Sequence, residues 1–114
     1  MQVSRGEIWL VNLDPTLGTE IRKTRPVVVV SSDAVGVLPI KLVAPLTEWK
    51  DHFAQNVWHV KVEPSSENGL SKDSAVDTLQ LRGVDTQRFV QKRGVLSPSD
   101  LRLIVLAIEL IIEY

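Results

Sequence analysis

The chain has 114 residues, 44% of them hydrophobic and 24% charged, which fits a single globular domain over residues 1–114 and leaves no room for a second. It contains no cysteine, so disulfides, thiolate zinc sites and thiol nucleophiles are excluded. Thirteen Lys plus Arg against fourteen Asp plus Glu give a net charge of -1, which argues against a histone-like, generally sticky nucleic-acid binder and leaves only a local basic site open.

Met1-Gln2-Val3-Ser4-Arg5 passes straight into alternating sequence without the apolar run of a signal peptide, and no segment has the length of a membrane span, so a cytoplasmic protein is expected. From Glu7 the apolar run Ile8-Trp9-Leu10-Val11 predicts a first strand of roughly eight residues, ended by the turn signal Asp14-Pro15. Four β-branched residues, Val27 to Val30, predict a central strand buried on both faces, with Pro26 at its first position. Ile40 to Leu46 is the third predicted strand. Val57 to Val62 is the fourth, with Trp58, Val60 and Val62 on one face and Val57, His59 and Lys61 on the other. A polar connector over Pro64–Gly69 precedes a weaker fifth strand, Ser74 to Leu81.

The period then changes. Ser97-Pro98-Ser99-Asp100 supplies an N-cap serine, a proline at the first helical position and an early acidic residue, so a helix is expected from Pro98 to about Glu113. Its polar stripe, Arg102, Glu109 and Glu113, falls within about 40° at 3.6 residues per turn. Leucines, isoleucines and valines cover nearly everything else, more apolar surface than one small barrel needs, and this points to a subunit interface. Strands first and one long helix last define a β-rich α+β fold built on a strongly bent sheet or partly open barrel.

The densest polar constellation is the loop Asp14 to Pro26. Arg22, Lys23 and Arg25 fall within four residues there, and Arg25 stands where loop becomes strand, so the sheet would hold a guanidinium whose planar fork suits a phosphate. Glu20 lies five residues earlier, as a carboxylate base or a support for the arginine; a plain solvated charged loop accounts for the same residues. Thr47 and Trp49 emerge at the end of the third strand, suited to a phosphate oxygen and to stacking on a base, or simply to strand and core. His52 and His59 invite reading as an acid–base pair, but nothing in the sequence orients either, and surface histidines are the plainer account. Their spacing lacks a convergent carboxylate cluster, so no metal site and no cofactor is expected.

Arg5-Gly6-Glu7-Ile8-Trp9-Leu10-Val11-Asn12-Leu13-Asp14-Pro15-Thr16, then Gly18-Thr19-Glu20 and Arg25-Pro26 followed by valines, resembles the N-terminal signature of the MazF/PemK toxins. Ala44-Pro45-Leu46-Thr47 resembles the family's strand ending in threonine, and Ser74 to Asp85 its stretch containing Gln80-Leu81-Arg82 and Val84-Asp85. The resemblance implies a small SH3-like barrel with a C-terminal helix, assembled as a homodimer. It also implies a sequence-specific, metal-independent endoribonuclease that cuts single-stranded RNA by 2′-hydroxyl attack, neutralised by a cognate antitoxin. Arg25 and Thr47 match the catalytic arginine and threonine, Glu20 the loop glutamate, and Gln80 and Arg82 the motif near the RNA groove, with Arg22, Lys23 and Trp49 as further candidate RNA contacts.

Three positions depart from the pattern. Ile21-Arg22-Lys23-Thr24 lacks the glycine that many relatives place between glutamate and arginine, Thr19 replaces a histidine of some relatives, and Leu79 an acidic residue. The alternative in another class is a gyrase-binding toxin of the CcdB type, whose fold is the same. That type ends in Trp-Gly-Ile, whereas this chain ends Ile112-Glu113-Tyr114.

Overall fold

The computed structural model describes residues 2–114. Strands β1 (Glu7–Asn12), β2 (Thr24–Val29), β3 (Ile40–Glu48), β4 (His59–Val62), β5 (Ser74–Asp77), β6 (Arg82–Asp85) and β7 (Phe89–Val95) form one antiparallel sheet, followed by α1 (Pro98–Ile111). The strands run in the order β4-β5-β3-β2-β1-β7, with β6 also beside β3.

Long β3 organises this arrangement. Its Val43–Pro45 pair with Val27–Val29 on one edge; on the other, Ile40–Val43 pair with β6 and Leu46–Glu48 with β5. A 3-10 turn, Thr78–Gln80, carries the chain from β5 to β6, so Ala44 and Pro45 have no partner on that edge. Proline, with no amide to donate, is tolerated at such an interruption.

Alternate residues of the central strands feed two cores. Ile8, Val28, Val30, Ala44 and Leu46 meet Leu101 and Ile104 of the helix, while Trp9, Val11, Val27, Val29 and Val43 meet Val84 and Phe89 inside the curl of the sheet. Val27, Val28 and Val29 are thus sealed on both faces, as the β-branched run predicts. The helix starts as expected: the Ser97 hydroxyl accepts from the Asp100 amide at 3.1 Å, and Pro98 opens the first turn. Leu101, Ile104 and Ala107 face the core, and Leu103, Leu106 and Leu110 remain exposed.

Several boundaries differ from the sequence reading. β1 stops at Asn12, and β2 begins at Thr24, so Pro26 stands opposite Leu10 inside the strand. β4 begins only at His59, because Val57 and Trp58 form a turn. The fifth predicted strand is two strands, broken where the Asp77 carboxylate accepts from the Leu79 amide at 3.1 Å and starts the 3-10 turn. β7 was not expected at all. It is an edge strand on which Val90 to Arg93 are exposed, and its register against β1 slips twice, at Val90 and at Arg93, which destroys the alternation a sequence pattern relies on.

Where β7 meets β1, Glu7 accepts from the Ser4 amide (2.8 Å) and Trp9 Nε1 (3.0 Å), and lies 2.9 Å from Lys92 Nζ. Burial alone would raise the pKa of this carboxyl. The Lys92, Ser4 and Trp9 hydrogen bonds outweigh it and hold Glu7 below the ordinary carboxylate value.

Candidate active site

Arg25 and Thr47, 22 residues apart in sequence, meet because of strand register. The β2–β3 pairing ends at Val27 opposite Pro45, and two residues further along the same face Arg25 lies across from Thr47. Both are half-buried and line one cavity of about 190 Å³ with Pro26, Glu48, Gly69, Lys72 and Arg93. Arg25 Nε donates to the Arg22 carbonyl at 3.2 Å, which fixes the side chain from its stem and leaves the two terminal nitrogens available.

Glu20 lies elsewhere. It lines a neighbouring cavity of about 500 Å³ with Leu13, Thr19, Pro45, Gln80 and Arg82. Pro45 lines that cavity and the next residue of β3, Leu46, lines the Arg25–Thr47 one; the two cavities share no residue. Glu20 Oε1 accepts from the Leu17 amide at 2.7 Å, closing a tight turn at the loop tip. The cluster expected between Glu20, Arg25 and Thr47 is therefore divided between two cavities, Glu20 in one and Arg25 with Thr47 in the other.

Gln80 and Arg82 hold that loop from beneath. Gln80 accepts from the Ile21 amide at 2.6 Å and donates to the Thr19 carbonyl at 3.0 Å. Arg82 Nη1 donates to the Leu13 carbonyl at 3.1 Å, and Arg88 Nη1 reaches the carbonyls of Asn12 and Asp14. The Leu13 amide donates to the Lys23 carbonyl at 3.0 Å, closing the neck, and Lys23 adopts a left-handed φ of 70° to do so. Both Gln80 amide groups are thus spent within the protein. The side chains of Arg22 and Lys23 are exposed beside the site.

Trp49 sits edge-to-face with Phe53 at 5.8 Å, and Lys61 Nζ lies 5.4 Å from its ring centre, so much of the indole is already covered. His59, unlike the surface histidine expected, is well oriented. Its ring stacks on Phe53 at 4.0 Å, Nδ1 is 3.1 Å from the Asn56 amide, and Nε2 is 3.5 Å from Asp77. His52 is exposed and touches the edge of Phe53. Among the described residues no group of three or more His, Asp or Glu converges as a metal site would require, and no helix is long and apolar enough to cross a membrane.

Lys72 and Arg93 line this cavity without a sequence signal: Lys72 lies between the polar connector and β5, and Arg93 in the strand whose pattern is broken.

An antiparallel, strongly bent sheet, one C-terminal helix and an arginine and a threonine lining one cavity at the sheet's end define a β-rich α+β protein with a cation-lined candidate site. The family of PemK-like, MazF-like toxins of type II toxin-antitoxin systems matches residues 4–112, and the chain belongs to it. The Mycobacterium tuberculosis endoribonuclease MazF9 is 32% identical over 103 residues, covering 85% of each chain. The Bacillus subtilis endoribonuclease EndoA is 31% identical over 93 residues, covering 81% of this chain and 78% of its own. Among solved structures, MazF from Deinococcus radiodurans superposes with a TM-score of 0.82 at 19% identity, over 98% of this chain and 97% of its own. A mycobacterial endoribonuclease bound to its cognate antitoxin superposes with 0.78 at 16% identity, over 98% and 96%. None of these relatives favours the gyrase-binding alternative.

Proposed function

We propose that this toxin is an endoribonuclease that cuts single-stranded RNA by internal transfer, with the scissile phosphate held between Arg25 and Thr47. The observation that carries the reading is that these two side chains line one cation-lined cavity just beyond the end of the β2–β3 ladder. In this step the RNA 2′-oxygen forms a bond to the adjacent phosphorus, the bond from phosphorus to the 5′-oxygen breaks, and the products are a 2′,3′-cyclic phosphate and a 5′-hydroxyl. Arginine stays protonated at working pH, so Arg25 neutralises the extra charge on the phosphorane oxygens, and the Thr47 hydroxyl donates to one of them. The nucleophile is part of the substrate, so binding need only hold it in line. Glu20 lines the other cavity and its Oε1 is engaged by the Leu17 amide, so the 2′-hydroxyl proton passes to water and a proton from the medium caps the departing 5′-oxygen.

An RNA occupying both cavities as one groove would cross from the larger, lined by Thr19, Leu79 and Leu81, to the Arg25 site, with Arg22 and Lys23 beside its backbone. Unpaired nucleotides suit this path because their bases can be splayed out. Gln80 and Arg82 act by shaping the loop, and Trp49 offers a partly covered ring at the far end. A cognate antitoxin would neutralise the protein by covering the same groove.

We also propose a homodimer. Ala44 and Leu46 of β3 face the helix, and on the same face Ile40 and Leu42 are left exposed, alongside the Leu103, Leu106 and Leu110 stripe. A two-fold pairing of one patch is the commonest way to cover such a surplus.

The test is cleavage of a long single-stranded RNA in excess chelator, with mapping of the ends. Arg25→Ala should lower the rate by about a hundredfold or more while the protein stays folded, and Thr47→Ala by somewhat less. An RNA carrying one deoxynucleotide 5′ of the mapped bond should resist cutting there. Cleavage of that bond regardless would mean that water or a protein group is the nucleophile.

A further inference from the structure

We infer that Arg93, with Lys72 beside it, is a second phosphate-binding position that holds the RNA backbone next to the scissile phosphate and contributes to affinity, not to chemistry. The inference rests on the ribonuclease reading, and deepens it by assigning residues from the edge strand and the β4–β5 connector to the substrate.

Four observations support it. First, Arg93 lines the same cavity as Arg25 and Thr47. It is also the extra residue of a β-bulge: Trp9 pairs with Lys92 and Ile8 with Gly94, so Arg93 has no partner on β1 and its side chain is re-aimed relative to regular alternation.

Second, the backbone under this arginine is clamped. A Cβ built on Gly69 would lie 2.2 Å from the Arg93 carbonyl oxygen, and one on Gly94 would lie 2.4 Å from the Glu67 carbonyl oxygen, so connector and strand are in direct backbone contact at both positions. The Val95 amide donates to the Glu67 carbonyl at 2.8 Å. The connector itself is built on buried Asn68, which accepts from the Ser65 and Leu70 amides and donates to the Glu63 carbonyl. The backbone that carries the Arg93 side chain is therefore held in place before any ligand binds.

Third, Arg93 is a cation without an anion. Its neighbour Lys92 is committed to Glu7, but among the described residues no carboxylate lies within ion-pair distance of Arg93 and no hydrogen bond engages its side chain. Fourth, the lining carries Arg25, Lys72 and Arg93 against Glu48 alone, a local charge of three minus one in a chain whose total is -1. Glu48 is itself shared between Lys50 at 3.8 Å and Lys72 at 3.9 Å. RNA carries one charge per nucleotide, so a strand seated on Arg25 brings a neighbouring phosphate to this second fork.

The experiment measures binding of a fluorescent single-stranded RNA, blocked by one deoxynucleotide at the cut site, across a range of salt concentrations. Arg93→Ala should weaken binding about fivefold or more and reduce the salt slope by about 0.7, the value of one phosphate contact on a single strand. Arg93→Lys should keep the slope, since it keeps the charge. With the unblocked RNA, Arg93→Ala should raise KM and leave kcat within about twofold, opposite to Arg25→Ala. Gln91→Ala, exposed on the same strand outside the cavity, should change neither. Wild-type affinity and slope in folded Arg93→Ala overturn the inference, including the case in which that variant instead loses binding of a polyglutamate probe and the cations serve an acidic peptide. Wild-type protein that neither binds nor cuts RNA is a different failure: it removes the ribonuclease reading itself.

Discussion

Gly69→Ala tests the clamp between the β4–β5 connector and β7, and Gly18→Ala is its internal control. Both glycines have positive φ, +67° and +56°, so an alanine at either carries the cost of a left-handed backbone, about 1 kcal/mol. They differ in what the new methyl group meets. Around Gly18 nothing lies within 4 Å, whereas at Gly69 the Cβ would stand 2.2 Å from the Arg93 carbonyl oxygen and 3.0 Å from its carbon. Both contacting groups are backbone, so relief requires connector and strand to part, an overpacking cost of about 1–3 kcal/mol added to the φ term. The expected losses are therefore about 1 kcal/mol for Gly18→Ala and about 2–4 kcal/mol for Gly69→Ala. At about 4 °C per kcal/mol for a domain of this size, thermal midpoints should fall by about 4 °C and about 8–16 °C. Melts by circular dichroism at one fixed protein concentration make the comparison, since self-association would shift both midpoints. Equal losses would refute the reasoning, because the two sites would then share only their backbone conformation. Gly69→Ala should also weaken RNA binding below the melting range, as the strand that aims Arg93 is displaced.

Three further outcomes follow from other contacts. Glu7 is held below its ordinary pKa in the folded state, so its contribution to stability is present above the unfolded-state value and disappears as pH falls through the folded one; Glu7→Gln should be destabilising at about pH 7, with the difference from wild type shrinking in urea titrations as pH is lowered below the ordinary glutamate range. Gln80→Ala removes the bonds to Ile21 and Thr19 and should cost about 1–2 kcal/mol, with faster hydrogen exchange at the Ile21 amide; unchanged exchange would show that the loop holds itself. Leu106→Glu places a charge on the exposed stripe of α1 without touching the core, so light scattering should find a dimer for wild type and a mass near 12.7 kDa for the variant, and a wild-type monomer at micromolar concentration would refute the dimer.

Much of the architecture is determined locally. The run Val27 to Val30 favours a strand sealed on both faces, because β-branched side chains in succession crowd a helix and leave no polar face for solvent, and Val27 to Val29 form the buried end of β2. Ser97-Pro98-Ser99-Asp100 starts a helix wherever it stands, since cap, fixed φ and early acid all act within one turn. Arg25 and Thr47 could be picked out individually, by residue type and by resemblance. Their meeting could not: it depends on the register of β2 against β3, which is set by buried pairs such as Val28 with Ala44. The same holds for Glu20, one loop away from Arg25 in sequence yet in the other cavity, because Gln80 and Arg82, some sixty residues later, decide how that loop is held. β7 is the clearest case. Its residues bury little and its bulges erase the period of two, so nothing local marks it as a strand; only the open edge of β1 and the backbone contacts of Gly69 and Gly94 recruit it, and with it comes Arg93.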